Sequence, residues 1–203
     1  TKNNNIPISQ YPNIFSDLVI YSTAVPFDNP ILTLAQKLKI PAKTYPQMLG
    51  EISKSHYTIA VSGMHGKSTT TAMIGLMIEN AGLDPLVIVG TKVPQWQGNI
   101  RISSKFKVQS SKLIKNRVFV VEADEYRSAM LNLEPDIIVL TRIEEDHLDY
   151  YRDIDHIKRE FRKYLGKLPA DGCAIVNWQD ENIRNVKCQM SNVKCHFIKY
   201  NIS

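Results

Sequence analysis

The chain has 203 residues, enough for one large or two small domains with real cores, and its 43% hydrophobic and 22% charged content is that of an ordinary globular protein. No apolar run approaches membrane-spanning length and no signal peptide opens the sequence, so no membrane partner is expected and the reading is cytoplasmic. Three cysteines (Cys173, Cys188, Cys195) without a C-x-x-C pair argue for a reducing compartment, and the net charge of +5 admits polyphosphate or nucleic-acid partners.

Residues 1–16 are polar and Asn-rich and read as a cut edge rather than a folded start. Residues 17–22 read as a strand. Asn29-Pro30 supplies a cap and a first-turn proline for a helix whose face is Ile31, Leu32, Leu34, Ala35 and Leu38, and Ile40-Pro41 stops it. A short strand over 42–45 and a short helix over 47–53 follow, so residues 1–50 hold a β-α-β piece too small to be a domain alone. Residues 57–60 are a buried strand, and residues 72–81, apolar nearly all round, predict a buried helix closed by Gly82. Asp84-Pro85 turns the chain into a strand over 86–89, and 90–104 reads as loop.

Further on come a strand over 118–121, a short helix over 126–133 and a strand over 136–140. Asp153 can cap a helix with apolar positions Ile154, Ile157, Phe161, Tyr164 or Leu165, and Leu168, ended by Gly166 and Pro169. A strand over 173–176, a polar helix near 179–187 and a strand over 194–200 complete the alternation. Basic clusters lie at Lys105, Lys107, Lys112, Lys115 and Arg117, and at Lys158, Arg159, Arg162, Lys163 and Lys167 on the polar side of a helix. Aromatic residues do not alternate with them as a single-strand groove requires, so no nucleic-acid partner is expected. Cys188, Cys195 and His196 lack a fourth ligand at zinc spacing and read as ordinary residues. The whole predicts an α/β fold with a mostly parallel sheet.

Between the strand at 57–60 and the helix that follows lies Val61-Ser62-Gly63-Met64-His65-Gly66-Lys67-Ser68-Thr69. Strand, glycine-bearing loop, Lys-Ser and helix is the layout of a phosphate-binding loop (P-loop), although Val61 stands where the full pattern has its first glycine. Gly63 and Gly66 let backbone N–H groups curl toward an anion, and the helix adds the positive end of its dipole. Lys67 supplies a point charge for β/γ-phosphates, and the Ser68 hydroxyl can reach a magnesium ion. Glu122, ending another strand, is a second hard-oxygen ligand. His147 reads equally as a ligand or as a cap or core histidine, and Asp124, Glu125, Glu144, Glu145, Asp146 and Asp149 read at least in half as solvated loop acids. Parallel strands would bring all these strand ends to one rim, where α/β proteins bind ligands.

The blocks Gly63 to Met73, Glu122-Ala123-Asp124-Glu125 and Ile143-Glu144-Glu145-Asp146-His147-Leu148-Asp149, in that order, resemble the Mur ligase family, and the histidine before Gly66 resembles its UDP-N-acetylmuramate–L-alanine ligase branch. Asp17 to Val25 followed by Asp28-Asn29-Pro30 is similar to the end of that family's nucleotide-sugar domain. The resemblance implies a cytoplasmic ligase of peptidoglycan precursor synthesis, using ATP and Mg2+, that joins L-alanine to UDP-N-acetylmuramate through an acyl phosphate. It implies phosphate binding by Gly63, Met64, His65, Gly66, Lys67, Ser68 and Thr69. It implies catalytic roles for Lys67 and His147, magnesium ligation by Ser68, Glu122 and His147, and a UDP-sugar contact at Asn99.

Arg142 departs from the asparagine usual in the family, and Glu160-Phe161 stand where some members carry a carbamylated lysine, with Lys163 offset, so none is expected here. The resemblance divides the chain into the end of a Rossmann-like UDP-sugar domain over 1–50 and a central ATP-binding domain over 51–203, incomplete at its C-terminus. The isolated chain is therefore expected to be inactive. A sister ligase that adds a peptide to the same sugar, a non-catalytic nucleotide-binding relative, and a nucleic-acid ATPase are the rival readings.

Overall fold

The apolar runs at 57–62, 86–93, 118–122, 137–140 and 173–177 become strands with a neighbour on each side. The computed structural model describes residues 16–102, 117–190 and 194–201. The chain divides into two compact units, Thr1–Leu49 and Gly50–Ser203.

In the first unit, β1 (Val19–Tyr21) and β2 (Ala42–Thr44) pair in parallel, with Val19 opposite Ala42, and α1 (Pro30–Lys37) connects them. The helix starts where the sequence says it should: Asn29 Oδ1 accepts the Ile31 N–H at 2.9 Å, and Pro30 occupies the first turn, where its missing N–H has no cost. The division between units falls within α2 (Tyr45–Lys54).

Among the described residues, the second unit is built on a seven-stranded sheet of order β5-β4-β6-β3-β7-β8-β9. Its strands are β3 (Tyr57–Ser62), β4 (Leu86–Val93), β5 (Gly98–Arg101), β6 (Val118–Glu122), β7 (Ile137–Leu140), β8 (Cys173–Asn177) and β9 (His196–Tyr200). All pairings are parallel except β4 with β5. Parallel strands covered on both faces read as continuous apolar runs, and Ala60, Val61, Phe119, Val120, Val121, Ile138, Leu140, Ala174 and Val176 are all fully or almost fully buried. The helices α3 (Lys67–Asn80), α4 (Ile154–Leu165) and α5 (Glu181–Cys188) complete the unit. In α4, Asp153 caps the His156 N–H at 2.6 Å and the buried face is Ile157, Phe161, Tyr164 and Leu165, close to the predicted spacing.

Three expectations change. Residues 90–101 are not loop: β4 continues to Val93, a 3-10 turn spans Pro94–Trp96, and β5 returns antiparallel with Val87 opposite Arg101. The reason is tertiary. Arg101 reaches Glu79 at 2.8 Å and Asp84 at 3.0 Å, and Trp96 Nε1 donates to Glu79 at 2.9 Å, fastening a polar hairpin that has no apolar alternation of its own. Residues 103–104, the remainder of that expected loop, lie outside the described residues, as do Lys105, Lys107, Lys112 and Lys115. The second change is in α3. Ala72, Ile74 and Ile78 pack against Val87, Val89, Val93 and Val120, while Met73 and Met77 are exposed, so it is a half-buried helix rather than one buried all round. Third, residues Tyr126–Asn132 form a 3-10 segment kinked at Arg127 and Ser128, which have φ of 52° and 55°.

Three of the second basic cluster are paired: Lys158 with Asp155 at 3.7 Å, Lys163 with Glu160 at 2.6 Å and Lys167 with Glu134 at 3.0 Å. No helix among the described residues is long and apolar enough to cross a membrane.

Candidate active site

The loop from Gly63 to Gly66 joins β3 to α3 at the carboxyl end of the sheet's central strand. Gly63 has φ of 132°, and a Cβ there would lie 2.3 Å from Thr141 Oγ1 and 2.8 Å from the Arg142 backbone nitrogen and oxygen. This closeness ties the loop to the end of β7: Met64 N–H donates to Arg142 O at 2.9 Å, and Thr141 Oγ1 donates to His65 O at 2.6 Å. Gly66, with φ of 80°, turns the chain into α3. The first N–H groups of that helix have no carbonyl within the helix to receive them, which with the helix dipole makes this end a seat for an anion.

Ser68, in the first turn of α3, donates from Oγ to Glu122 Oε1 at 3.0 Å. Glu122 closes β6, opposite Val61 in the register, and its Oε2 accepts the Gly90 N–H at 2.6 Å. Any side chain at 90 would meet that carboxylate, since a Cβ would lie 2.9 Å from Oε2. One hydroxyl and one carboxylate oxygen side by side fit magnesium, which takes one or two protein oxygens and completes its shell with water and phosphate. No group of three or more His, Cys, Asp or Glu that could hold a metal occurs among the described residues.

Lys67 and His147 meet at Glu125, one of the six rim acids of which at least half are expected to be solvated. Glu125 is 1% exposed. The Lys67 ammonium lies 2.8 Å from its Oε2 and 2.9 Å from its Oε1, and donates to Gly63 O at 2.8 Å. His147 Nε2 is 3.3 Å from Glu125 Oε1. His147 adopts a left-handed φ of 52°, held by its N–H on Asp146 Oδ1 at 2.7 Å and by its ring against Tyr126, 4.9 Å between centroids. Burial pushes the Glu125 carboxyl above its ordinary range, and the Lys67 ammonium pulls in the opposite direction. Tyr151, whose hydroxyl donates to Glu125 O, is pushed up to about 12, first by burial. No spacing or periodicity distinguishes Glu125 from its exposed neighbour Asp124; its place in an acidic block just after a buried strand was the signal at hand.

The other expected residues lie further out. His65 is exposed and pairs through Nε2 with Glu144 at 2.5 Å, and Arg142 reaches the same carboxylate at 2.7 Å. The departure at Arg142 therefore touches the loop through its backbone, while its side chain is exposed. Thr69 is exposed on the first turn of α3. Asn99 is exposed on β5, three strands from β3, and no described contact joins it to the loop. Lys163, on α4, is engaged with Glu160, which also accepts Ser128 Oγ at 2.8 Å.

Beside the loop, at the ends of β7 and β8, a cavity of about 400 Å³ is lined by Arg142, Glu144, Asn177, Asp180 and Asn182. Its polar groups brace the backbone after β7: Asp180 Oδ2 accepts Ile143 N–H, Asn182 Nδ2 donates to Ile143 O, and Asn177 Nδ2 donates to Thr141 O.

Comparison with known proteins places the chain in a family. The family described as Mur ligase middle domain matches residues 61–203. The UDP-N-acetylmuramate–L-alanine ligase of Alkaliphilus metalliredigens is 38% identical over 187 residues, covering 92% of this chain and 38% of that protein. Among solved structures, the UDP-N-acetylmuramate:L-alanyl-gamma-D-glutamyl-meso-diaminopimelate ligase of Neisseria meningitides superposes with a TM-score of 0.78 at 23% identity, over 94% of this chain and 60% of that one. The UDP-N-acetylmuramate-alanine ligase of Thermotoga maritima superposes with a TM-score of 0.69 at 20% identity, over 98% and 41%. The chain thus spans a little over a third of the length of the curated relatives it matches.

Proposed function

Because this chain belongs to the Mur ligase family, we propose that it carries the ATP half of a ligase that joins L-alanine to UDP-N-acetylmuramate in peptidoglycan precursor synthesis. On this reading the protein acts in the cytoplasm and serves cell-wall assembly, and through it cell shape and division. Residues 1–50 are then the end of a UDP-sugar domain and 51–203 most of the central ATP domain. The observation that carries the reading is the convergence of three separate sequence blocks on one rim: Lys67 and Ser68 after β3, Glu122 and Glu125 after β6, and His147 after β7. The UDP-N-acetylmuramate–L-alanine ligases among its relatives, two of them at 38% and 40% identity, support the choice of substrates.

The loop N–H groups, with Thr69 in the first turn of α3, would receive the phosphates, and Lys67 would neutralise the transferring group. Ser68 and Glu122 would hold a magnesium ion, and His147 would contribute to a second. Bound there, magnesium supplies charge neutralisation along the phosphates. The lactyl carboxylate would attack the γ-phosphorus, forming its bond to phosphorus as the bond to ADP breaks. The amine of L-alanine would then attack the acyl carbon and release phosphate. Side chains here clamp and orient; little proton transfer is asked of them.

The test is phosphate release from ATP by the protein at its full natural length, with UDP-N-acetylmuramate, with and without L-alanine. Release that requires both is expected. Release that instead requires a peptide in place of L-alanine, or that is indifferent to both, would overturn the reading.

A further inference from the structure

An ammonium group has three hydrogens to donate. At Lys67 they go to Gly63 O at 2.8 Å, Glu125 Oε1 at 2.9 Å and, more distantly, Met64 O at 3.5 Å, while Glu125 Oε2 lies 2.8 Å from the nitrogen as an ion pair. A phosphate oxygen that approaches this nitrogen must displace one of them. Gly63 O is backbone, in a loop that passes so close to Thr141 and Arg142 that a Cβ at 63 would clash with both. The acceptor that can yield is the carboxylate. Glu125 has a second neighbour to turn to, since His147 Nε2 lies 3.3 Å from its Oε1, and Oε2 makes no hydrogen bond.

We propose that Glu125 is a positioning residue of the phosphate site: it holds the Lys67 ammonium against the loop and is exchanged for a phosphate oxygen when polyphosphate binds. Two anions compete for one cation, and their competition sets nucleotide affinity. The proposal deepens the ATP reading above and rests on it.

The sign of one substitution separates this role from a merely structural one. Glu125→Gln keeps the shape and removes the competing charge. Inorganic tripolyphosphate and magnesium-ATP should then bind on the order of tenfold tighter, because charge-assisted bonds to Lys67 no longer have to be exchanged. The KM for ATP should fall while the KM for the second substrate stays unchanged. A residue that only shapes the loop would, when substituted, loosen binding. Glu125→Asp retains the charge but is one methylene shorter and cannot straddle the ammonium; it should tighten binding by a smaller factor.

Binding is measured by titration calorimetry on the protein at its full natural length, with melting temperature as the folding control. Should Glu125→Gln fail to fold, the Glu125→Asp titration and the melting of Lys67→Met/Glu125→Gln remain. The double variant should recover the melting temperature lost by Glu125→Gln alone, because it no longer buries an unpaired charge. Unchanged or weaker tripolyphosphate binding in a folded Glu125 variant, or no recovery in the double variant, overturns the proposal. Unmodified protein that fails to bind tripolyphosphate overturns both the nucleotide reading and this one. Protein that binds it without ligating overturns the ligase reading alone.

Discussion

Gly63 and Gly66 sit in one loop and are glycines for different reasons. Gly63 combines φ of 132° with a Cβ position already occupied by Thr141 and Arg142, whereas Gly66 has φ of 80° and open space around it. Gly63→Ala should therefore cost about 2–4 kcal/mol, from backbone strain and displaced neighbours together. Gly66→Ala should cost only the left-handed backbone, about 1–2 kcal/mol. Denaturant unfolding of both variants checks this, and equal losses would show that the close approach to β7 is unimportant. At this scale Lys67, Ser68 and Glu122 were legible as candidates because a Lys-Ser pair opening a helix after a glycine-bearing loop, and a carboxylate closing a strand, are local features of the chain. Glu125 was not, since burial of an acid at a strand end depends on what packs over it, here Tyr151 and the Lys67 side chain.

The element least legible in the sequence is the β4–β5 hairpin. Residues 90–101 mix polar side chains with Val93, Trp96 and Ile100 without regular alternation, so nothing local marks them as strands. Their order comes from α3, where Glu79 receives Arg101 at 2.8 Å and Trp96 at 2.9 Å. These bonds, Arg101 first, hold the Glu79 carboxyl below its ordinary value of 4.5. A carboxyl whose folded pKa is depressed contributes stability above the unfolded value and loses it as the pH falls through the folded one. Glu79→Gln should thus cost up to about 1 kcal/mol at pH 7, a modest figure for a partly exposed pair. The cost should shrink as the pH drops below 4.5. Urea unfolding across that range is the measurement; a loss that persists undiminished at acid pH would point to packing rather than charge. The helices were more legible. Asn29 and Asp153 cap α1 and α4 by local chemistry alone, with bonds of 2.9 and 2.6 Å.

At the scale of the molecule, the sheet order is what makes a site. With β6 and β7 flanking β3, the two acidic blocks fall on either side of the loop lysine, although they are separated from it by more than fifty residues of chain. Ligand binding there should stabilise the whole unit. Magnesium-ATP at a hundred times its dissociation constant should add about 2.7 kcal/mol, raising the melting temperature by several degrees. Lys67→Ala should abolish the rise, read by a thermal scan with and without nucleotide. A full shift in that variant would remove Lys67 from the phosphate site.

By itself, the sequence determined the alternating α/β class and the strand, glycine-bearing loop, Lys-Ser and helix layout, because these rest on local periodicity, backbone freedom and residue chemistry at short spacing. It also carried the family, through blocks in fixed order. Tertiary structure alone decided three things: that Glu125 is buried between Lys67 and His147, that a polar stretch pairs as β5, and that α3 leaves Met73 and Met77 exposed. Each depends on which surfaces meet across long stretches of chain. The free energy of such meetings is set by packing and paired charge, which a single segment does not contain.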